Sequence, residues 1–359
     1  TRLLEGLSHR GPDGAGGLAS GPAWLGATRL AIRSPQDGTQ PVVDPTSGVM
    51  AVCNGEIDNH GELRRWLASR GPSASRPVDV AVLPGLYLEL GPDFVSRLEG
   101  PFGLAVWDPR TGRLVLARDR AGEKSLFFAV TPAGFAFASE ASALVAADPS
   151  LLVPDEAALA AYLESGCFEA PRTPFTEVRK LAPGELLLAD EAGVSRRRYW
   201  RLDLPGTPKQ APSLEAFDRI LHEAVERQTD VDAEFGVLLS GGLDSSLLAA
   251  VARRVRPLRK LVAYTVRFDE TSYDEGSAAV RVARQLGMET VSVTLRAAEV
   301  PDLLRDLVTG AGEPLGDPAW LPLAVLSRRA AKDVRTVLSG EGADELFGGY
   351  PTYLGPTFA

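Results

Sequence analysis

The stretch Ser240-Gly241-Gly242-Leu243-Asp244-Ser245-Ser246 decides how this chain reads, because it has the make-up of a turn that grips pyrophosphate. Ahead of it runs Phe235-Gly-Val-Leu-Leu239, a buried strand, and behind it Leu247-Leu-Ala-Ala-Val251, a helical pattern. Two glycines without a Cβ let backbone amides approach an anion. Three serine hydroxyls add donors, and the following helix turns its positive end to the same place. The phosphate of a nucleotide is the natural guest. No Gly-x-x-x-x-Gly-Lys-Ser/Thr occurs in the chain, which separates it from the common nucleotide loop of kinases and GTPases. Asp244 inside the cradle would repel a bare triphosphate and so implies Mg²⁺ between them. The plainer alternative is a Gly-Gly turn with a serine cap on a helix. Strand, glycines, hydroxyls and carboxylate all coincide, and that favours the phosphate turn.

Outward from this turn the chain alternates strand and helix. Strands are expected at 235–239, 261–268, 289–295 and 334–338, with helices at 214–228, 244–254, 275–286, 300–309 and 322–331. Near-continuous apolar strands separated by helices predict a parallel sheet covered on both faces, with ligands at the carboxyl ends of its strands. Residues 201–213 carry three prolines and read as a linker. Before it the rhythm differs. Strand-like runs at 24–32, 49–54, 102–107, 113–118, 135–139 and 184–189, with helices near 61–69, 79–90 and 155–164, predict a layered α+β domain of mostly antiparallel strands. The expected division is 1–200, linker 201–213, and 214–359.

The totals set bounds. At 359 residues two domains are expected, and 45% hydrophobic with 24% charged is ordinary globular composition. A net charge of −9 speaks against nucleic acid or an anionic membrane as partner. No apolar run is long enough for a membrane span. Cys53 and Cys167 form neither a disulfide framework nor a zinc pattern, and His9, His60 and His222 lie far apart. A cytoplasmic location is the expectation. The chain opens on Thr1-Arg-Leu-Leu-Glu-Gly-Leu7 and closes just past a glycine-rich motif, so both ends read as cut.

A second strand end reads Leu338-Ser-Gly-Glu-Gly-Ala-Asp-Glu-Leu-Phe-Gly-Gly-Tyr350, too polar and flexible for core. Asp344 follows Gly340 at the same spacing as Asp244 follows Ser240. Two carboxylates at neighbouring strand ends can share one Mg²⁺ on the phosphates of ATP, with Glu341 facing the reacting centre. A solvated acidic turn is the alternative. Together Ser240–Ser246, Tyr273-Asp274-Glu275, Glu313-Pro314 and Leu338–Tyr350 resemble the synthetase domain of glutamine-hydrolysing asparagine synthetases. The resemblance implies an α/β adenine-nucleotide-hydrolase-like (ATP pyrophosphatase) fold that adenylates a carboxylate, releases pyrophosphate, and lets ammonia displace AMP. It implies Ser240, Gly241, Gly242 and Ser245 on the pyrophosphate, and Asp244 and Asp344 on Mg²⁺. Leu239, Val266, Ser339 and Gly340 would lie around adenosine, and Glu341 near the adenylate.

In the first half, Asn54-Gly55-Glu56 follows a strand, and a side-chain amide beside a free backbone N–H is how oxyanion holes are built. Arg29 sits in an apolar run, where a guanidinium calls for a carboxylate partner. Asp79 stands where a carboxylate also works as a helix cap. Taken singly, each has a structural alternative. Leu7-Ser-His-Arg-Gly-Pro-Asp-Gly14, Arg29-Leu-Ala-Ile32, Asn54-Gly-Glu-Ile-Asp-Asn-His60, Leu116-Ala-Arg-Asp-Arg120 and Phe137-Ala-Ser-Glu140 resemble the amidotransferase half of the same family. That half has the N-terminal-nucleophile hydrolase αββα sandwich. The resemblance implies Arg29 on the glutamine carboxylate, Asn54 and Gly55 as oxyanion hole, and Glu56 and Asp79 on the α-amino group.

Three departures stand out. The family's nucleophile is an N-terminal cysteine, expected upstream of Ser8-His9-Arg10; Thr1 does not replace it, and Cys53 reads as core. Asp58 stands where the family has Tyr, and Val78-Asp79-Val80-Ala81 where it has Ser-Asp-Thr-Glu. The helical segment with the family's catalytic lysine would follow Tyr350. The resemblance implies synthesis of asparagine from aspartate, glutamine and ATP, in a possible homodimer. Alternatives are another carboxylate acceptor, a β-lactam- or lasso-peptide-type ring closure, and an inactive sensor.

Overall fold

The structure, a computed structural model, describes residues 2–34, 36–71, 77–132, 134–203, 213–269 and 276–353. Thr1, Arg76, the Tyr273-Asp274-Glu275 motif and most of the expected linker (204–212) lie outside the described residues. Contacts divide the chain into two units, residues 1–208 with 305–317, and residues 209–304 with 318–359.

The first unit holds eleven strands among its described residues. β1 (Gly14–Ser20) pairs antiparallel with β2 (Ala23–Arg29). The six-stranded sheet takes β3 (Val42–Val43), β4 (Met50–Gly55), β5 (Phe102–Asp108), β6 (Arg113–Arg118), β10 (Glu185–Asp190) and β11 (Gly193–Arg198). Its order is β11-β10-β6-β5-β4-β3, every neighbour antiparallel. A three-stranded sheet runs β8 (Gly134–Ala138), β7 (Phe127–Thr131), β9 (Val178–Lys180).

The pleat sorts side chains into layers. Ala51, Cys53, Leu104, Val106 and Val115 meet the helices His60–Ala68 and Leu83–Leu90 on one face of the large sheet. Met50, Val52, Ala105, Trp107 and Leu116 meet Leu25, Leu126 and Phe128 on the other. Beyond that layer, Phe127 and Ala129 turn to the helix Ala141–Ala147. The sequence of layers is helix, sheet, sheet, helix. Because β4 to β6 are covered on both faces, they read as continuous apolar runs although they are antiparallel.

Local differences from the sequence expectation have identifiable causes. β1 was not foreseen, because Gly-Ala-Gly-Gly-Leu-Ala-Ser lacks the alternation of a half-buried strand. A Cβ on its Gly17 would lie 2.4 Å from the Trp24 ring across the pair. β2 ends at Arg29 rather than Ile32, where Ile32 N donates to Leu30 O (3.0 Å). The expected helix 79–90 is a 3-10 turn, Asp79–Val82, followed by a helix, Leu83–Leu90. Pro84 has no N–H to bond back to residue 80, so it sits where a helix starts.

The second unit carries β12 (Phe235–Leu238), β13 (Val262–Phe268), β14 (Glu289–Leu295) and β15 (Thr336–Leu338) in the order β14-β13-β12-β15, all parallel. Leu238, Tyr264, Leu326, Ala330 and Val334 form a core beside it. β12 and β15 are neighbours in register Val237 to Leu338, which brings the segments that follow both strands together at their carboxyl ends. No helix of the described residues is long and apolar enough to cross a membrane.

Candidate functional site

Each unit contains a cavity of its own. In the first unit a cavity of about 540 Å³ is lined by Arg29, Asn54, Gly55, Glu56 and Asp79, together with Arg33, Cys53 and Lys124. Five residues spread over fifty positions of sequence therefore meet at one place, at the ends of β2 and β4 and at the turn that starts at Asp79.

Gly55 ends β4 with φ 134°, and a Cβ there would lie 1.9 Å from Pro101 O. Backbone on both counts demands glycine. Gly55→Ala should therefore strain the strand end and break the adjacent Glu56 N to Pro101 O bond (2.9 Å). The expected loss is about 1–3 kcal/mol, read as a lower thermal midpoint. Asn54 Nδ2 is buried and has no hydrogen-bond acceptor among the described residues. A buried amide donor without a partner costs about 1–3 kcal/mol, so its retention in a cavity wall points to a ligand oxygen.

Asp79 does not cap its own turn. Its Oδ2 accepts from Ile57 N (2.8 Å), tying the turn to the segment after β4, and the residue is only 4% exposed. Arg29 Nη2 donates to the backbone carbonyls of Ser34 (2.7 Å) and Arg33 (3.4 Å). Glu56 is pushed up to about 8 by burial first and by the charges of Asp79 and Asp58, while Arg33 and Lys124 pull the other way. Burial also lifts the Cys53 thiol well above its ordinary range, with Asp79 and Glu56 adding to it. Gln40 clasps the Cys53 backbone from both sides, Cys53 N donating to its Oε1 (2.7 Å) and its Nε2 donating to Cys53 O (3.1 Å). A thiol so disfavoured as thiolate is core, not nucleophile.

In the second unit a cavity of about 310 Å³ is lined by Leu239, Ser240, Gly242, Asp244, Ser245, Val266, Ser339, Gly340, Glu341 and Asp344. Both strand-end motifs contribute to it. Gly241 does not line it. Its φ is 88°, and a Cβ there would lie 2.5 Å from Ala279 N on the helix Gly276–Gln285. Packing against that helix by itself requires a glycine here. The turn is held by its own hydroxyls: Ser240 Oγ and Ser245 Oγ are 2.9 Å apart, Ser240 N donates to Ser245 Oγ (3.3 Å), and Gly242 N to Ser240 Oγ (3.2 Å). Gly242 caps the helix Leu243–Val255 with no side-chain bond, and Asp244 stands in its first turn. Gly340 packs on Ser245 N, where a Cβ would come to 3.3 Å.

No group of three or more His, Cys, Asp or Glu side chains at metal-holding spacing occurs among the described residues. Asp244 and Asp344 in one cavity fit an ion that takes most of its shell from phosphate and water, as Mg²⁺ does.

The sequence reading missed Arg33, whose side chain is 8% exposed and contacts Glu56, Asp58 and His60. The available signal was a lone arginine just past an apolar strand, with two carboxylates in the next strand's exit.

Residues 1–200 match the glutamine amidotransferase domain family, and residues 216–359 match the asparagine synthase family. The αββα layers of the first unit and the parallel sheet of the second are the N-terminal-nucleophile hydrolase and ATP-pyrophosphatase-type folds. The chain belongs to the family that joins a glutamine amidotransferase domain to an asparagine synthase domain. It is 32% identical to asparagine synthetase [glutamine-hydrolyzing] 1 of Bacillus subtilis over 99% of its length and 56% of the relative's. It is 30% identical to asparagine synthetase [glutamine-hydrolyzing] 3 of the same organism, covering 98% of this chain and 60% of that one. Against amidase chyE of Penicillium rubens the identity is 31%, over 98% of this chain and 54% of the relative. The chain spans a little over half the length of these relatives.

Proposed function

We propose that the chain carries the glutamine- and nucleotide-binding parts of an amide-forming ligase that makes asparagine from aspartate, ATP and glutamine-derived ammonia. The observation that supports this most is the gathering of Arg29, Asn54, Gly55, Glu56 and Asp79 around one cavity, while both strand-end motifs line another. In the first, Arg29 takes the α-carboxylate of glutamine and Glu56 and Asp79 its α-ammonium. Asn54 Nδ2 and the Gly55 N–H then face the oxygen that gains charge when the side-chain amide is attacked. The nucleophile is assigned to none of the described residues.

In the second cavity the amides of the turn at Ser240–Ser245 and the start of its helix hold pyrophosphate. Leu239, Val266, Ser339 and Gly340 enclose adenosine, and Glu341 stands beside the carbon that accepts nitrogen. Asp244 and Asp344 would hold Mg²⁺, whose charge offsets that of the phosphates.

The experiment is turnover of the full protein with ATP, Mg²⁺, aspartate and amide-¹⁵N glutamine. Labelled asparagine and one pyrophosphate per product are expected. The similarity to an amidase supports a second reading, in which the acceptor is another carboxylate. Glutamine hydrolysis without asparagine would favour that reading, and neither hydrolysis nor pyrophosphate release would leave an inactive sensor.

Arg29→Lys gives a separate check. A point charge cannot reproduce the bidentate fork, so the KM for glutamine should rise by about tenfold or more while turnover on free ammonia stays unchanged. Loss of both activities together would mark Arg29 as a purely structural residue.

A further inference from the structure

Arg33 occupies an unusual place in the glutamine-type cavity. It lines the wall with Glu56 and Asp79, yet its guanidinium reaches behind the wall to two residues that do not line it. Nη2 donates to Asp58 Oδ1 (3.1 Å) and Nη1 lies 3.3 Å from His60 Nδ1. Nε stands 3.0 Å from Glu56 Oε2, at ion-pair distance but not aligned for a hydrogen bond. Glu56 Oε2 is thus buried beside a cation and still accepts no hydrogen bond. A carboxylate held on one oxygen beside a cation, on a side chain that is 24% exposed and lines a cavity, has the chemistry of a seat for an ammonium group.

The charges around it explain why an arginine is needed. Glu56 faces Asp79 and Asp58 as like charges and Arg33 and Lys124 as opposite ones. Asp58 in turn faces Asp79 and Glu123 as like charges, with Arg33 opposing them. Without a cation at Arg33, the carboxylates at 56, 58 and 79 would crowd one partly buried region, and protonation would relieve them.

We propose that Arg33 is a positioning residue of this cavity: anchored on Asp58, it holds the Glu56 side chain oriented to receive the α-ammonium of an amino-acid substrate. The inference rests on the glutamine reading above and adds a specificity element to it. Arg33 touches no substrate atom in this role. Burial and the neighbouring acids push Glu56 up to about 8 and Asp58 up to about 6. Arg33 lowers both. Docking of an ammonium therefore asks Glu56 to shed its proton, and affinity for the amino acid should tighten as pH rises toward 8. Removing Arg33 should move that profile to higher pH, because a positive charge favouring ionised Glu56 is gone.

The test is titration calorimetry of the full protein with L-glutamine and with glutaramate, the same molecule without its α-amino group. For Arg33→Met, the dissociation constant for glutamine at neutral pH should rise about tenfold, the effect of one charge-assisted contact, and that for glutaramate less than about twofold. Arg33→Lys keeps a charge but not the fork, and should fall between Arg33→Met and the parent. Retained glutaramate binding proves each variant folded. Should Arg33→Met fail that control, Asp58→Asn, which loosens the anchor, carries the same expectation in weaker form. Equal losses for both ligands, or no loss for either, would overturn the positioning role and reduce the network to a structural ion cluster. A parent that binds glutaramate as tightly as glutamine would overturn the ammonium seat at Glu56 while leaving Arg29 and the oxyanion donors untouched. A parent that binds neither would overturn the glutamine reading itself and this inference with it.

Discussion

Asp344→Asn abolishes pyrophosphate release while glutamine hydrolysis continues: that is the largest single effect expected in this protein. Asp344 and Asp244 line the same cavity after the ends of two adjacent parallel strands, and in the proposed site they would hold Mg²⁺. Asparagine keeps the size and loses the charge. A bound ion stabilises the charge that builds on the leaving phosphates by several kcal/mol, so the loss should reach about a thousandfold. The measurement is enzymatic detection of pyrophosphate at saturating ATP, with glutamate release followed in parallel. Equal pyrophosphate release by variant and parent would remove Asp344 from the site. Loss of both reactions would instead indicate that the turn at Gly340–Gly349 had unfolded.

The second large effect lies in the other cavity. Asn54→Ala should lower glutamine turnover by about 10²–10³, equivalent to about 2.7–4 kcal/mol, with little change in KM. The argument is the unpartnered Nδ2: in the resting protein it bonds to nothing among the described residues, so it is free to meet charge that develops only during reaction. Replacing it also removes a buried, unsatisfied group, so the variant should be no less stable than the parent. That opposite sign separates catalysis from structure. Synthesis from free ammonia should persist. A variant with raised KM and normal kcat would mean that Asn54 binds the ground state instead.

Much of the fold is legible in the sequence. The apolar runs that became β12 and β15 end in Ser-Gly, and a parallel sheet brings such ends together on one edge. The exit of β4 was equally readable, since Asn-Gly-Glu after a run of apolar residues marks a strand that stops at a donor pair. What escaped notice follows from physical causes. β1 is glycine-rich because ring and backbone crowd it, so it carries no hydrophobic period. β11 is exposed at every position and reads like a charged loop. Gly241 is also required by a helix packed against it, a contact that no local pattern announces. Arg33 was hidden because its partners lie more than twenty residues away, and an isolated charge after a strand looks like surface.

β4 is covered by side chains on both faces, and its last residues line the cavity of the first unit. Its amides should therefore be among the last in the chain to exchange with deuterium, opening only when the whole first unit opens. Partial unfolding elsewhere then leaves Asn54, Gly55 and Glu56 in place. The departures from the family pattern at 58, 78, 80 and 81, and the arginine at 33, all lie off this strand, and Val78 and Val80 are buried in the same core. The strand with the most protected amides thus also carries the proposed donor pair, so Asn54 and Gly55 should keep their places in any state that keeps the core of the first unit.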